Sequence, residues 1–132
     1  MFIKKKIFSV VKATDTSEAI NMLSDSPNIA RAIRDRLDMG NAFSIQTISL
    51  GAETGTRTAT FQFLCTLDKN DLPYKTPQGA NDIVTAFDCD LYTAADVSHI
   101  WSFTPVACEA MKIKLTLSGA LTNGLDVYFI GY

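Results

Sequence analysis

Apolar and polar residues alternate along most of the chain after residue 42, which is the pattern of β-strands with one buried face and one face in water. The clearest example is residues 57–67, where every second residue from Ala59 to Leu67 is apolar. Six segments show the pattern, and they are residues 43–50, 57–67, 82–92, 98–104, 110–118 and 125–130. We therefore predict six strands, with residues 57–67 at the centre of the core.

Two details of the pattern predict local geometry. In residues 43–50 the apolar positions change from odd to even numbers near Thr47, which predicts a bulge or a strand with apolar side chains on both faces. The last two strands are separated by residues 118–124, which end in Asn123-Gly124. Because Asn-Gly readily takes positive φ at both centres of a tight turn, we expect these two strands to form an antiparallel hairpin.

The first 42 residues have a different pattern. Residues 2–12 combine apolar residues with three consecutive lysines, as an edge strand or an extended arm does, since lysines on an edge discourage unwanted pairing. Residues 15–23 begin with the spacing of a capping box, which predicts a short helix. Residues 27–39 begin with a proline after a serine and carry apolar residues at every fourth position, which predicts a second helix.

These elements predict the fold class. Several short strands joined by turn signals are typical of two packed sheets, so we expect a mainly β protein with an antiparallel, jelly-roll-like β-sandwich over residues 43–132. A barrel is the main alternative. Residues 1–42 are expected to add an N-terminal arm and one or two short helices.

Composition agrees with a globular protein and argues against some partners. The 132 residues are 47% hydrophobic and 20% charged, and the formal net charge is −2. Without an excess of positive charge, the chain is not expected to bind nucleic acid or a membrane surface. No apolar run approaches the roughly 18 residues of a membrane helix. The apolar patch at residues 7–11 is too short for a signal peptide, so secretion is not expected.

The three cysteines predict neither a zinc site nor a disulfide framework. Cys65, Cys89 and Cys108 are odd in number and widely spaced. Cys65 is expected on the buried face of its strand, where a thiol behaves as a small apolar group. We therefore expect reduced, structural cysteines.

Residues suited to catalysis are few. His99 is the only histidine, which excludes a mechanism that needs a histidine pair. Asp88 and Asp90 project to the same side of one predicted strand and could form half of a hard-cation site or a carboxylate pair, although their spacing matches no recognised calcium loop. The oxygen-rich residues 68–71 are also typical of a turn. We predict no catalytic residue, no metal and no cofactor, and we expect that the protein is not an enzyme.

Three aromatic residues are candidates for contact with a ligand or a partner. They are Tyr74, Tyr92 and Trp101, and the long loop at residues 68–81 accompanies them. Aromatic rings on a β-sandwich can stack on a sugar when polar groups lie nearby. The same residues can instead fill a core or a subunit contact, and the sequence leaves both alternatives open.

The chain resembles the small β-sandwich structural proteins of tailed bacteriophages, of the decoration, head-fibre or tail-associated type. The resemblance lies in FSIQTISL at residues 43–50, RTATFQFLCTLD at 57–68 and WSFTPVACEAMKIKLTLSGALTNGLDVYFIGY at 101–132. It implies a non-enzymatic virion protein, assembled in the host cytoplasm, that contacts copies of itself and other virion structural proteins. The ending is also similar to discoidin-type jelly rolls, although their paired terminal cysteines are missing here. The alternative function is therefore a carbohydrate- or ligand-binding module.

A place in a virion would also explain the apolar N-terminus. Phe2, Ile3, Ile7, Phe8 and Val10 are too apolar for a segment that stays in water. We expect them to form an inter-subunit arm that adds as a strand to a neighbouring copy or to another structural protein. Three unpaired cysteines fit assembly in a reducing cytoplasm.

Overall fold

The computed structural model describes residues 3–22, 43–53, 55–89, 98–104 and 108–131, and these residues form a mainly β protein. Their strands are β1 (Ile3–Val11), β2 (Asp15–Thr16), β3 (Ile20–Asn21), β4 (Phe43–Ser49), β5 (Thr58–Thr66), β6 (Val84–Asp88), β7 (Ser98–Phe103), β8 (Ala110–Leu117) and β9 (Leu125–Gly131). Five of the six predicted strands, β4, β5, β7, β8 and β9, have both bounds within one residue of the prediction. The sixth, β6, is shorter than expected.

The strands form two antiparallel sheets. The first sheet has the order β1-β9-β4-β7, and the second has the order β2-β8-β5-β6, with β3 also paired to β8. Each sheet has two central strands. β5 is a central strand of the second sheet, as expected, because it pairs with β6 on one side and β8 on the other. The predicted mainly β, antiparallel class is confirmed.

Side chains from both sheets form one hydrophobic core. Phe63 of β5 in the second sheet stacks on Phe103 of β7 in the first sheet, with ring centroids 5.5 Å apart. Within the first sheet, Phe43 stacks on Phe129 at 5.6 Å. A Cβ added to Gly131 would lie 2.0 Å from the Phe43 ring, so this strand position has no room for a side chain. Burial on one face only explains the alternating pattern of the sequence.

The apparent phase change in β4 is not a bulge. The buried residues of β4 are Phe43, Ile45, Thr47 and Ser49. The pairing of β4 with β7 and β9 is continuous. Two polar residues continue the inner face, whereas Ile48 lies half-buried on the outer face. The strand is therefore two-sided, which was the second of the two predicted geometries.

The expected hairpin of the last two strands is wrong. β8 pairs with β5 in the second sheet, whereas β9 lies between β1 and β4 in the first sheet. Gly124 has a φ of 90°, but Asn123 does not have positive φ, so the pair does not form the predicted turn. The Glu53 carboxylate instead accepts hydrogen bonds from the N–H groups of Asn123 and Gly124, at 3.0 and 2.9 Å, and from that of Thr122.

The expected short helix at residues 15–23 is also wrong, since β2 and β3 lie there and pair with β8. Hydroxyl groups of this segment bond to β8. The N–H of Ile113 donates to Ser17 Oγ at 2.9 Å, and the N–H of Leu117 donates to Thr14 Oγ1 at 3.0 Å. The second predicted helix, at residues 27–39, lies outside the described residues.

The N-terminal segment belongs to the first sheet of its own chain. β1 pairs with β9 from Ile3, opposite Gly131, to Val11, opposite Leu125. Phe8 is 5% exposed and lies in the core. β1 is therefore an edge strand and not a free arm. Its side chains enter the core, and its backbone pairs with β9. The expected boundary at residue 42 does not separate β1, β2 and β3 from the sheets.

Candidate functional site

The outer face of the first sheet carries an open apolar groove of about 480 Å³. We define this outer face by Ser44, Gln46, Ile48, Ile100, Tyr128 and Ile130, which line the groove. The register places them side by side, because Ser44 is opposite both Ser102 and Ile130, and Gln46 is opposite both Ile100 and Tyr128. These residues point away from the core because their neighbours along each strand point into it.

Ile100 is the most exposed apolar residue of this face, and 64% of its surface is accessible. Charged residues lie toward β1, where Lys4 lines the groove opposite Ile130 and Asp126 is opposite Ile48. Lys6 and Asp126 form an ion pair at 3.1 Å, and Lys6 Nζ lies 5.6 Å from the centre of the Tyr128 ring. The hydrogen bond to Asp126 raises the pKa of Lys6. An apolar face with a polar border is the composition of a protein contact surface.

The two edge strands of the first sheet differ. β1 has register shifts between Lys6 and Phe8 and between Phe8 and Val11, and Val10 has a φ of 50°. Such irregularities, together with lysines, protect an edge from pairing with another chain. β7 pairs with β4 without a shift and carries the exposed Ile100. The β7 side of the first sheet is therefore the less protected edge.

Trp101, one of the three predicted contact residues, packs on the core. Its ring centre lies 4.8 Å from that of Phe87, 6.3 Å from that of Phe61 and 5.7 Å from that of His99. Trp101 is half-buried and His99 is exposed. Trp101 therefore packs β7 against β5 and β6. This agrees with the predicted alternative in which the aromatic residue fills the core.

Tyr74, the second predicted contact residue, lies elsewhere, on the second sheet. Lys112 Nζ is 4.3 Å from the centre of its ring. Partial burial, and then the nearby Glu109 and Cys108, raise the pKa of Tyr74. Tyr74 and Trp101 share no ring contact among the described residues, and Tyr92 lies outside those residues. The structure thus does not bring the predicted aromatic residues into one site.

The loop after β5 begins with the turn that the sequence predicted. Asp68 Oδ1 accepts hydrogen bonds from the N–H groups of Asn70 at 3.0 Å and Asp71 at 3.3 Å. Further along, the loop, which the sequence analysis placed with the candidate contact residues, lines a polar groove of about 540 Å³. Its polar residues are Gln78, Asn81, Asp82, Ser102 and Thr104. The sequence did not indicate that the end of β7 lies on the other side of this groove.

Two of the three cysteines influence each other, which the sequence did not indicate. The interaction with Cys108 lowers the pKa of Cys65. The interaction with Cys65, together with burial, raises the pKa of Cys108. Cys65 is buried, as predicted.

The remaining predicted chemical groups are placed as follows. Asp88 lies at the end of β6, opposite Thr58, and Asp90 is outside the described residues. In the ranges that the structure describes, no three His, Cys, Asp or Glu side chains are grouped as metal ligands would be. The same ranges contain no helix with the length and apolar character that a bilayer crossing requires.

Comparisons with protein-family models, curated proteins and solved structures found no match to this chain.

Proposed function

We propose that the two sheets form a β-sandwich of the jelly-roll type, and that the chain is a non-enzymatic structural protein of a bacteriophage particle. In this proposal the protein is a capsid decoration protein, a head–tail component or a tail component. It acts through contacts with copies of itself and with other virion structural proteins.

The strand order supports the proposed fold. If β2 and β3 are counted as one interrupted strand, eight strands remain, with four in each sheet. The chain passes from one sheet to the other at every connection except that between β5 and β6. Two four-stranded sheets built from two Greek keys make a jelly roll, a fold that viral capsid proteins and lectins share.

The observation that carries the proposed function is the apolar outer face of the first sheet. Capsid proteins and lectins share the jelly roll, so the fold alone does not distinguish the two functions. The distinction has to come from the surface. Ile48, Ile100 and Ile130 lie in three successive rows of this face, and covering the face with another protein would remove their apolar surface from water. The sequence resemblance to phage structural proteins supports a bacteriophage particle as the assembly to which this face contributes.

Mass spectrometry of phage particles tests this proposal. Particles are purified by density gradient from lysates of cells that carry the gene. We expect peptides of this chain to remain with the particles in constant proportion to the other virion proteins, while a host cytoplasmic enzyme is lost. Recovery of the chain only from the soluble fraction would contradict the proposal.

The polar groove favours a carbohydrate- or ligand-binding module as the second candidate. Gln78 and Asn81 line it with amide groups, which suit the hydroxyls of a sugar. Asp82 is held there, since it accepts hydrogen bonds from Gln62 at 2.7 Å and from Thr85 at 2.8 Å. A glycan array with the wild type and the Asn81→Ala variant separates the candidates. Specific binding that Asn81→Ala abolishes would favour this module over a purely structural role.

A further inference from the structure

β7 is an outer strand of the first sheet, and among the described residues it pairs on one side only, with β4. In an antiparallel ladder, successive residues direct their N–H and C=O groups alternately to the two sides of the strand. Half of the β7 residues therefore direct these groups away from β4. Such a row of backbone donors and acceptors at a sheet edge is a template for the addition of another strand.

Of the four sheet edges in the described part of the chain, three are protected against strand addition. β1 contains three lysines and two register shifts. β2 and β3, which share the edge beyond β8, have two residues each. β6 pairs with β5 through a register shift, and Ala86 within it has a φ of 47°. Short strands, bulges and lysines all keep an edge from pairing with another chain.

β7 has none of these protecting features. Its six residues, Ser98–Phe103, include no lysine, arginine, aspartate, glutamate or proline. All six pair with β4 in one continuous register. Ile100 adds apolar surface at this edge, since 64% of it is exposed. The β7 edge is therefore regular and partly apolar, which favours pairing with another strand.

The sequence of β7 is complementary to itself in the antiparallel direction. Ser98, Ile100 and Ser102 alternate on the outer face, because they are opposite the outer-face residues of β4. Pairing about a two-fold axis at Ile100 places this residue opposite its counterpart in a second copy and places Ser98 opposite Ser102. A shift of one residue would turn the outer face of the second copy to the opposite side of the sheet. A shift of two would place isoleucine opposite serine and bury less apolar surface.

We propose that β7 pairs with β7 of a second copy of this chain, antiparallel and about a two-fold axis at Ile100. The same strand of each copy forms the contact, as in other two-fold dimers, and the first sheets, with four strands from each copy, become one continuous sheet. The two outer faces then lie on the same side of the joined sheet, so their apolar surface continues across the axis. The inference rests on the proposed association of copies and goes beyond it, because it defines the geometry in which two copies meet.

Cysteine cross-linking tests this geometry. Directly opposite residues of an antiparallel pair have Cβ atoms about 5 Å apart, whereas positions four residues apart along a strand are separated by about 13 Å. A bis-maleimide with a short spacer should therefore join Ile100→Cys chains to each other at position 100. Ser98→Cys alone and Ser102→Cys alone should give no dimer, whereas an equimolar mixture of the two should. Peptide mapping of the products distinguishes these bonds from any reaction of the native cysteines.

Gln46→Cys is the matched control, since Gln46 is opposite Ile100 in the same row of the outer face. In the proposed dimer its counterpart lies three strand spacings away, about 14 Å, so these chains should not be joined. If Gln46→Cys chains are joined, the copies stack through their outer faces, which would overturn pairing through β7 and leave the association itself intact.

The absence of a cross-link both in Ile100→Cys and in the mixture of Ser98→Cys with Ser102→Cys would also overturn the proposal. The mixture retains Ile100, so a loss of affinity caused by the substitution of this residue would not explain a failure in both experiments. The bacteriophage assignment is tested separately, by the recovery of the chain in purified particles.

Discussion

At the scale of single residues, polar side chains complete hydrogen bonds that the strands leave open. Ser17 lies between β2 and β3 and is buried, and its hydroxyl accepts the hydrogen bond from the N–H of Ile113. Its own N–H donates to the carbonyl of Ile113 at 2.8 Å. The side chain thus substitutes for a backbone acceptor where the edge of the second sheet is interrupted.

Ser17→Ala should lower the free energy of unfolding by about 1–3 kcal/mol, because it leaves the buried N–H of Ile113 without that acceptor. Urea denaturation measures the change. Thr16→Ala is the control, since Thr16 is exposed, and it should change stability by no more than about 0.5 kcal/mol. Equal effects of the two substitutions would contradict this role for Ser17.

Glu53 has a similar role in the connection from β8 to β9. Its carboxylate accepts three consecutive backbone hydrogen bonds, from Thr122, Asn123 and Gly124. Glu53→Ala should therefore lower the free energy of unfolding by about 1–2 kcal/mol, and Glu18→Ala, at an exposed position, should have little effect. Thermal denaturation of both variants is the measurement, and an unchanged melting temperature for Glu53→Ala would refute the role.

At the scale of elements, β1 is an edge strand with a buried side chain. Phe8→Ala should lower the free energy of unfolding by about 3–5 kcal/mol, because it removes an aromatic ring from the core. Val10→Ala is the control, since Val10 is 50% exposed. If residues 2–10 were a free arm, Phe8→Ala would leave the melting curve of the isolated protein unchanged, and that result would contradict the structure.

Sequence patterns predicted the strands well and their partners poorly. The alternation in β4, β5, β7, β8 and β9 marks one buried face, which is a local property of each strand. Which sheet a strand joins depends on distant parts of the chain, so the β8–β9 hairpin was expected and not found. The helix at residues 15–23 was wrong because capping-box spacing is a local signal, whereas the pairing of β2 and β3 with β8 depends on a distant part of the chain.

The candidate sites were less predictable than the strands. The outer face of the first sheet needs the order β1-β9-β4-β7, which no local pattern contains. Trp101 was named as a contact residue from its type, but its strand position directs it onto Phe61 and Phe87. The interaction of Cys65 with Cys108 links β5 to the segment before β8, so the spacing of cysteines in the sequence could not indicate it.

At the scale of the whole molecule, the exposed apolar residues on the outer face of the first sheet predict that chains associate through this face. The chain has a mass of 14.4 kDa, so a monomer and an oligomer are easily separated. Ile100 lies at the exposed β7 side of this face, and a charge placed there would oppose burial against another subunit. Leu67 is 71% exposed at the end of β5 and does not line the groove, which makes it the matched control.

Sedimentation equilibrium of the wild type, Ile100→Asp and Leu67→Asp measures whether chains associate through this face. We expect a mass of two or more chains for the wild type and for Leu67→Asp, and a mass near 14.4 kDa for Ile100→Asp with an unchanged circular dichroism spectrum. A monomeric wild type at concentrations of about 100 μM, or an Ile100→Asp variant that associates like the wild type, would show that this face is not a subunit interface.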